Sequence, residues 1–168
     1  MIQIKSSYSS TFNPSIMDPL THPNTPATSP SSKPLGKRVN KRSYGGIIRY
    51  KTENNTEEYL LVKQRTMNVW SFPKGHGYEL EPVLDTAKRE IYEETGLRLT
   101  ENPSGQRRYK RGVYFLFDLK EKPSIYDIPD AKEIEEVKWV TLEEMKELTC
   151  NSGIRLFLEK NATVKVFS

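Results

Sequence analysis

The sequence is poor in the features that tie a protein to an oxidising compartment or to a membrane. Cys150 is the only cysteine among 168 residues, which excludes an intrachain disulfide and favours a reducing compartment. No run approaches the ~18 apolar residues of a membrane-spanning helix. The N-terminus lacks the charged and then apolar segments of a secretory signal, and the absence of arginine before Arg38 counts against a transit peptide. We therefore expect a soluble, cytoplasmic protein without a membrane partner.

Residues 1–40 contain few apolar side chains and are rich in Ser, Thr, Pro and Asn. Such a composition cannot bury enough apolar area to offset the entropy of ordering, so we expect a disordered tail. The folded domain is expected over residues 41–163. At the junction of the tail and the domain, residues 37–42 carry four positive charges in six positions. This run either leads into the first strand as a solvated segment or acts as a nuclear localisation signal.

The net charge of the chain is mildly basic. It amounts to +4 at pH 7, which suits an anionic substrate. Firm RNA binding usually involves several phosphate contacts, so this surplus does not by itself indicate a nucleic-acid partner.

Hydrophobic patterning predicts an α/β domain with a mixed sheet. Strands are predicted at residues 43–50, 58–64, 112–117 and 135–140, the first two joined as a hairpin. Helices are predicted before Gly96, after a capping box at Thr141, and over residues 153–160. Polar loops are expected at residues 74–77, 102–108 and 120–132.

The stretch 75–97, GHGYELEPVLDTAKREIYEETGL, carries the strongest chemical signal. Its second half favours a helix, on which Glu90, Glu93 and Glu94 share one face because they are spaced i, i+3 and i+4. Three carboxylates on one face repel one another unless a cation lies among them. Hard divalent cations prefer such oxygen ligands to Cys or His. The spacing therefore suggests a metal site.

The same stretch resembles the signature of the Nudix hydrolases, Gly-x5-Glu-x7-Arg-Glu-aliphatic-x-Glu-Glu-x-Gly-aliphatic. The fixed positions are filled by Gly75, Glu81, Arg89, Glu90, Ile91, Glu93, Glu94, Gly96 and Leu97. The resemblance covers about residues 41–160 and implies the Nudix fold, a mixed β-sheet sandwiched between helices. It also implies hydrolysis of a diphosphate linkage with Mg²⁺ or Mn²⁺ as cofactor. Leu80 stands where many members have glycine, a departure that bears on the bend of the loop and not on the ligand set.

The resemblance assigns roles to the residues of this box. Glu93 and Glu94 are expected as metal ligands, Glu90 as a ligand or the general base, and Glu81 as a further ligand from the loop. The backbone carbonyl of Lys74 is expected to contribute as well. Arg89 is expected to position Glu90 and Glu93 by ion pairing. Gly75 is expected to permit a tight loop, and Gly96 to end the helix in a left-handed conformation.

Other candidates lie outside the box. Glu133 stands where related hydrolases often carry a catalytic glutamate, with Glu135 and Glu136 as rivals and a solvated loop as the equal alternative. Phosphate-binding cations are drawn from Lys74, Arg65, Arg107, Arg108, Lys110 and Arg111. For the cluster at residues 107–111, a solvated loop is an equally good interpretation.

Three substrate classes compete. The segment FPKGH at residues 72–76 is similar to dinucleoside polyphosphate and diphosphoinositol hydrolases, which makes a small anionic polyphosphate the first expectation. The same segment, with residues 132–134 and the last helix, also resembles mRNA-decapping enzymes, so capped RNA is the second. Nucleotide-pool cleaning is the third. The alternative to an enzyme is a Nudix domain that acts as a binding or scaffolding module without cleaving its ligand.

Overall fold

The structure is a computed structural model that describes residues 37–125 and 127–164, apart from the side chains of 38–41 and of 163–164. The predicted disordered tail lies almost wholly outside these residues and stays a prediction. The first strand already begins at Arg38, so it includes most of the basic run at residues 37–42.

In the described part of the chain, seven strands form one sheet. They are β1 (Arg38–Lys51), β2 (Glu57–Gln64), β3 (Val69–Ser71), β4 (Lys74–Tyr78), β5 (Gly105–Tyr109), β6 (Gly112–Leu119) and β7 (Ile134–Thr141). The main path runs β3-β2-β1-β6-β5, while β4 pairs with β1 and β7 pairs with β2. Strands β1 and β6 are parallel and the other pairs are antiparallel, so the sheet is mixed as predicted.

Helices pack on the two faces of this sheet. They are α1 (Val83–Thr95), α2 (Leu142–Glu147) and α3 (Ser152–Val164). Neighbouring residues of β1 show which helix covers which face, because side chains alternate between the two faces of a strand. Ile48 packs in a cluster with Ala87 and Ile91 of α1, whereas Ile47 packs in a second cluster with Ile154 and Phe157 of α3.

One predicted loop is a strand, and another becomes a strand over its second half. Residues 74–77 belong to β4, whose Lys74 and Gly75 lie opposite Gly45 and Tyr44 of β1. Residues 105–108 belong to β5, which pairs with β6 at the edge of the sheet. Neither segment shows the apolar alternation of a half-buried strand, since one is glycine-rich and the other is largely exposed and charged.

Most other elements confirm the sequence predictions. Strands β1 and β2 form the expected antiparallel hairpin. Thr141 caps α2 in a capping box, in which its hydroxyl accepts a hydrogen bond from the backbone N–H of Glu144 and its own N–H donates to the Glu144 carboxylate. Helix α3 extends beyond the predicted 153–160 at both ends. Within residues 37–125 and 127–164, no helix combines the length and hydropathy needed to cross a bilayer.

Candidate active site

Helix α1 carries the acidic residues of the helix face and packs against β1 and β4. The helix ends at Gly96, which adopts φ 74° and donates its N–H to the Tyr92 carbonyl at 2.8 Å. A side chain at Gly96 would overlap the carbonyl oxygen of Asp127. Only glycine combines that left-handed conformation with so close an approach of the next loop.

Arg89 joins three of the four carboxylates at the fixed positions of the box. Its Nε lies 2.7 Å from Oε1 of Glu81, and its Nη1 lies 2.8 Å from Glu90 Oε1 and 3.3 Å from Glu93 Oε2. Its Nη2 donates to the backbone carbonyl of His76 at 3.0 Å. A planar guanidinium can serve several acceptors at once, so this one residue ties strand β4 and the turn that follows it to the face of the helix.

Glu81 lies in the loop but is held as firmly as the helical residues. Its Oε2 accepts hydrogen bonds from the Tyr78 N–H at 3.0 Å and the Thr86 hydroxyl at 2.9 Å. Burial raises the pKa of Glu81, but the hydrogen bonds from Arg89, Tyr78 and Thr86 outweigh it and lower that pKa below its usual value. These hydrogen bonds therefore fix the position of the Glu81 carboxylate.

Glu90 and Glu94 are buried, with 5% and 4% of their surface exposed. The pKa of Glu94 is raised to about 8, first by burial and then by the charges of Glu90 and Glu133, although the charge and the backbone N–H of Lys74 oppose the rise. That N–H donates to Glu94 Oε2 at 3.0 Å. The surroundings of Glu94 therefore do not fully stabilise its ionised form, and a bound cation would supply the missing positive charge.

Gly75 makes room for the Glu90 carboxylate. A Cβ at Gly75 would overlap the carboxyl group of Glu90, so the backbone of β4 can lie against this carboxyl group only because the side chain is absent. The close approach of β4 to β1 uses a second glycine, Gly45, at which a Cβ would overlap the Pro73 carbonyl.

The donor set fits Mg²⁺ or Mn²⁺, because Glu81, Glu90, Glu93 and Glu94 offer only hard carboxylate oxygens. The raised pKa of the buried Glu94 carboxyl also favours a cation, because a positive charge nearby would stabilise its ionised form. Among the described residues, however, no three His, Cys, Asp or Glu side chains are arranged to enclose an ion. The Arg89 guanidinium, and not a shared ligand geometry, links Glu81, Glu90 and Glu93.

Glu133 stands just before β7 in an exposed position. Its backbone N–H donates to the carbonyl of Asp130 at 3.1 Å, and its carbonyl accepts from the Arg65 N–H at 2.9 Å. The fold brings Glu133 near the box, since its charge contributes to the raised pKa of Glu94. The loop is also tied to α1 itself, because Asp130 N–H donates to the Glu93 carbonyl at 2.9 Å.

The predicted phosphate-binding cations occupy different places. Lys74 lies at the box, beside Glu94. The Arg65 guanidinium donates to the carbonyls of Ala131 and Ile134, at 3.3 and 3.5 Å, and so holds the loop that carries Glu133. Arg107 and Arg108 are exposed on β5, and Arg107 lines a cavity beside α3.

Sequence reasoning missed two contributors to this site. The Thr86 hydroxyl and the Lys74 backbone N–H orient Glu81 and Glu94, and neither has a sequence signal of its own beyond its place in the box. Burial raises the pKa of Cys150 to about 11, so that its thiol stays protonated at neutral pH.

Sequence and structure comparisons relate this chain to known proteins. Residues 42–160 match the family model of the NUDIX domain. The chain is 31% identical over 117 residues to Nudix hydrolase 7 of Arabidopsis thaliana, covering 61% of this chain and 41% of that relative. It is 30% identical over 112 residues to the asymmetrical bis(5'-nucleosyl)-tetraphosphatase of Rattus norvegicus, covering 58% of this chain and 74% of that relative. The chain thus spans less than half of one of these relatives and about three quarters of the other.

A shorter match reaches the m7GpppN-mRNA hydrolase dcap-2 of Caenorhabditis elegans, at 29% identity over 82 residues, 45% of this chain and 10% of that protein. Among solved structures, an Ap4A hydrolase of C. elegans superposes with a TM-score of 0.58 at 20% identity, covering 76% of this chain and 98% of that one. This likeness confirms the predicted fold. The family model spans most of the chain and the box is complete, and we conclude that the chain belongs to the NUDIX domain family of hydrolases.

Proposed function

We propose that this protein is a divalent-metal-dependent hydrolase that cleaves a diphosphate bond in a nucleoside diphosphate derivative or a polyphosphate. One observation carries the proposal: Glu81, Glu90 and Glu93 meet around a single guanidinium, while Glu94 is buried beside them with a pKa raised to about 8. A fold does not retain so concentrated a negative charge for stability, since each buried carboxylate costs desolvation energy.

The box residues would hold Mg²⁺ or Mn²⁺, chiefly through Glu93 and Glu94, with Glu90 and Glu81 as further ligands and the Lys74 carbonyl beside them. When bound, the cation neutralises phosphate charge and lowers the pKa of a coordinated water. Arg89 orients three of the carboxylates. Glu133, or else Glu90, accepts the proton of the attacking water, and the Lys74 ammonium contacts the substrate phosphate.

For the substrate, we propose a dinucleoside polyphosphate or a diphosphoinositol polyphosphate. The similarity to the rat bis(5'-nucleosyl)-tetraphosphatase supports the dinucleoside polyphosphate, because it extends over 74% of that relative. Capped RNA is the second candidate, supported by the shorter similarity to the dcap-2 hydrolase and by the exposed arginines of β5.

The test is a panel of dinucleoside polyphosphates, diphosphoinositols, capped RNA, nucleotide sugars and dNTPs, assayed for phosphate-bond cleavage with Mg²⁺ or Mn²⁺. We expect turnover of at least one class, abolished by EDTA. Glu93→Gln should lower kcat roughly 10²-fold or more, because the charge that holds the metal is impaired. Glu79→Gln, an exposed carboxylate of the same loop outside the fixed positions, is the matched control and should retain the wild-type rate.

The alternative, a Nudix domain that binds without cleaving, predicts a different result. It requires no turnover on the whole panel and partner binding that needs no metal and survives Glu94→Gln. Equal rates for wild type and Glu93→Gln would end the metal-dependent proposal.

A further inference from the structure

The turn at residues 130–133 is hydrogen-bonded to the end of helix α1. The backbone N–H of Asp130 donates to the carbonyl of Glu93 at 2.9 Å. Glu93 lies in the last turn of α1, where the carbonyls have no partner within the helix. This bond therefore satisfies one of the free carbonyls and fixes the turn to the helix that carries three of the box carboxylates.

Asp130 also bonds to the far end of the turn. Its carbonyl accepts hydrogen bonds from the N–H of Glu133 at 3.1 Å and from the N–H of Ile134 at 3.0 Å. Its carboxylate Oδ1 accepts a further bond from the Glu133 N–H at 3.3 Å. The Glu133 N–H is therefore shared between the main chain and the side chain of Asp130. One residue thus contacts both the box helix and the backbone of the proposed base.

The carboxylate of Glu133 has no anchor of its own. In the part of the chain that the structure describes, it accepts no hydrogen bond and forms no ion pair. Glu133 is exposed, so packing does not fix it either. Its charge raises the pKa of Glu94, which means that the two ionised groups repel each other. The position of the Glu133 carboxylate therefore depends on the residues that bind its backbone.

Two residues bind that backbone, and they use different atoms of the turn. Arg65, directly after β2, donates its N–H to the carbonyl of Glu133 at 2.9 Å. Its guanidinium donates to the carbonyls of Ala131 and Ile134. Asp130 instead accepts from N–H groups of the turn and donates to α1. Arg65 thus connects the turn to the sheet, and Asp130 connects it to the box helix.

We propose that Asp130 is a positioning residue, which holds Glu133 at a fixed place relative to the carboxylates of helix α1. This role rests on the proposed hydrolase function, in which Glu133 accepts a proton from the attacking water. A general base acts only within hydrogen-bond reach of that proton, about 2.6–3.2 Å between heavy atoms. The Asp130 main chain carries the position of the helix to the turn, and its carboxylate restrains the N–H of the base itself.

Hydrogen exchange of backbone amides, measured by NMR on the full chain in EDTA, tests the contact without turnover. Asp130→Ala removes the carboxylate and leaves the main-chain bonds. The Glu133 amide should then exchange about tenfold faster, the scale of a lost hydrogen bond to a charged group. Asp130→Asn keeps an acceptor oxygen and should stay within about threefold of wild type. Asp127→Ala, which removes an exposed carboxylate of the same loop, is the matched control and should leave exchange at Glu133 unchanged.

The second measurement is steady-state kinetics on the best panel substrate with Mg²⁺ or Mn²⁺. Asp130→Ala should lower kcat about tenfold and leave KM within about twofold, because a misplaced base impairs the reaction and not binding. Asp130→Asn should restore most of kcat, and Asp127→Ala should retain the wild-type rate. In the Glu133→Gln background, Asp130→Ala should cost little more, since no base is left to position. The melting temperature of each variant separates this effect from a loss of stability.

Three results would each overturn the positioning role: unchanged exchange at Glu133 in Asp130→Ala, equal effects of Asp130→Ala and Asp127→Ala, or a raised KM at constant kcat. A wild-type rate for Glu133→Gln would overturn it as well, because Glu133 would then not be the base. All of these results leave the hydrolase proposal in place, since the wild type still turns over its substrate. Absence of wild-type turnover on the whole panel ends the hydrolase proposal instead, and the positioning role with it.

Discussion

Arg89 grips both carboxylate oxygens of Glu81, with Nε 2.7 Å from Oε1 and Nη2 3.0 Å from Oε2. The same guanidinium bonds Glu90 and Glu93 on its own helix. Each of these four side chains is at most 16% exposed, so solvent screens their charges poorly. The loop and the helix of the box are therefore joined by one shared cation.

Arg89→Ala should destabilise the metal-free protein by about 3 kcal/mol, the scale of removing one partner from a buried ion pair. The loss should be smaller in Mn²⁺, because a bound divalent ion compensates the same carboxylates. Urea unfolding in EDTA and in Mn²⁺ measures both values. Lys88→Ala removes a charge one residue earlier and should change the free energy of unfolding by no more than about 0.5 kcal/mol. An Arg89→Ala protein as stable as wild type in EDTA would show that the carboxylates do not need the guanidinium.

Gly75→Ala should lower the rate far more than the stability. The new methyl group would overlap the Glu90 carboxyl, the end of a side chain that can rotate away, so the fold can adapt while Glu90 leaves its position. A displacement of about 1 Å in a reacting centre can cost on the order of 10²-fold in rate. The measurement is kcat on the best panel substrate, together with the melting temperature. Gly105→Ala, where the added carbon meets Leu116 Cδ1 at 3.2 Å, is the control and should keep its activity. A fully active Gly75→Ala enzyme contradicts the assignment of Glu90 to the site.

The limits of sequence reasoning can be traced to particular elements. Helix α1 and its end at Gly96 were predictable, because composition, periodicity and a left-handed stop are local properties. Strands β4 and β5 were not, because their pairing depends on what β1 and β6 offer from elsewhere in the chain. The box spacing grouped Glu90, Glu93 and Glu94 on one face. It contained no sign that Arg65 holds the Glu133 loop, since that contact joins residues 66 to 69 positions apart.

Leu80 occupies a backbone conformation that suits glycine. It is the third residue of a turn closed by the Glu81 N–H donating to the Tyr78 carbonyl at 3.2 Å, and its φ is 64°. Leu80 is 97% exposed, so packing of its side chain does not offset the strain of the left-handed backbone conformation. The loop thus keeps its bend without the glycine that many family members carry.

Leu80→Gly should therefore stabilise the protein by about 0.5–1 kcal/mol, the relief of left-handed strain less the entropy that glycine adds to the unfolded chain. Leu80→Ala separates conformation from hydrophobicity, because alanine keeps the strain while removing the exposed apolar group. Denaturant unfolding should show a gain for glycine and none for alanine. Equal gains in both variants would attribute the effect to the exposed leucine side chain.

Arg65 was predicted to bind substrate, but its contacts favour a positioning role. Its guanidinium and its N–H donate to the carbonyls of Ala131, Ile134 and Glu133. If these bonds set the position of the Glu133 carboxylate, Arg65→Ala should lower kcat about tenfold with little change in KM, and Arg65→Lys should restore part of it. A phosphate-binding role predicts the opposite, a raised KM at constant kcat.

The double variant distinguishes these roles further. When Glu133 is already replaced by Gln, its loop has no carboxylate to position, so Arg65→Ala should cost little more; residues that act through one group are not additive. The kinetic constants of wild type, both single variants and the double variant close the cycle. Independent effects that multiply in the double variant would separate Arg65 from Glu133 and return Arg65 to the substrate. The cycle thus also tests Glu133, because a Glu133→Gln variant with the wild-type rate would leave Glu90 as the general base.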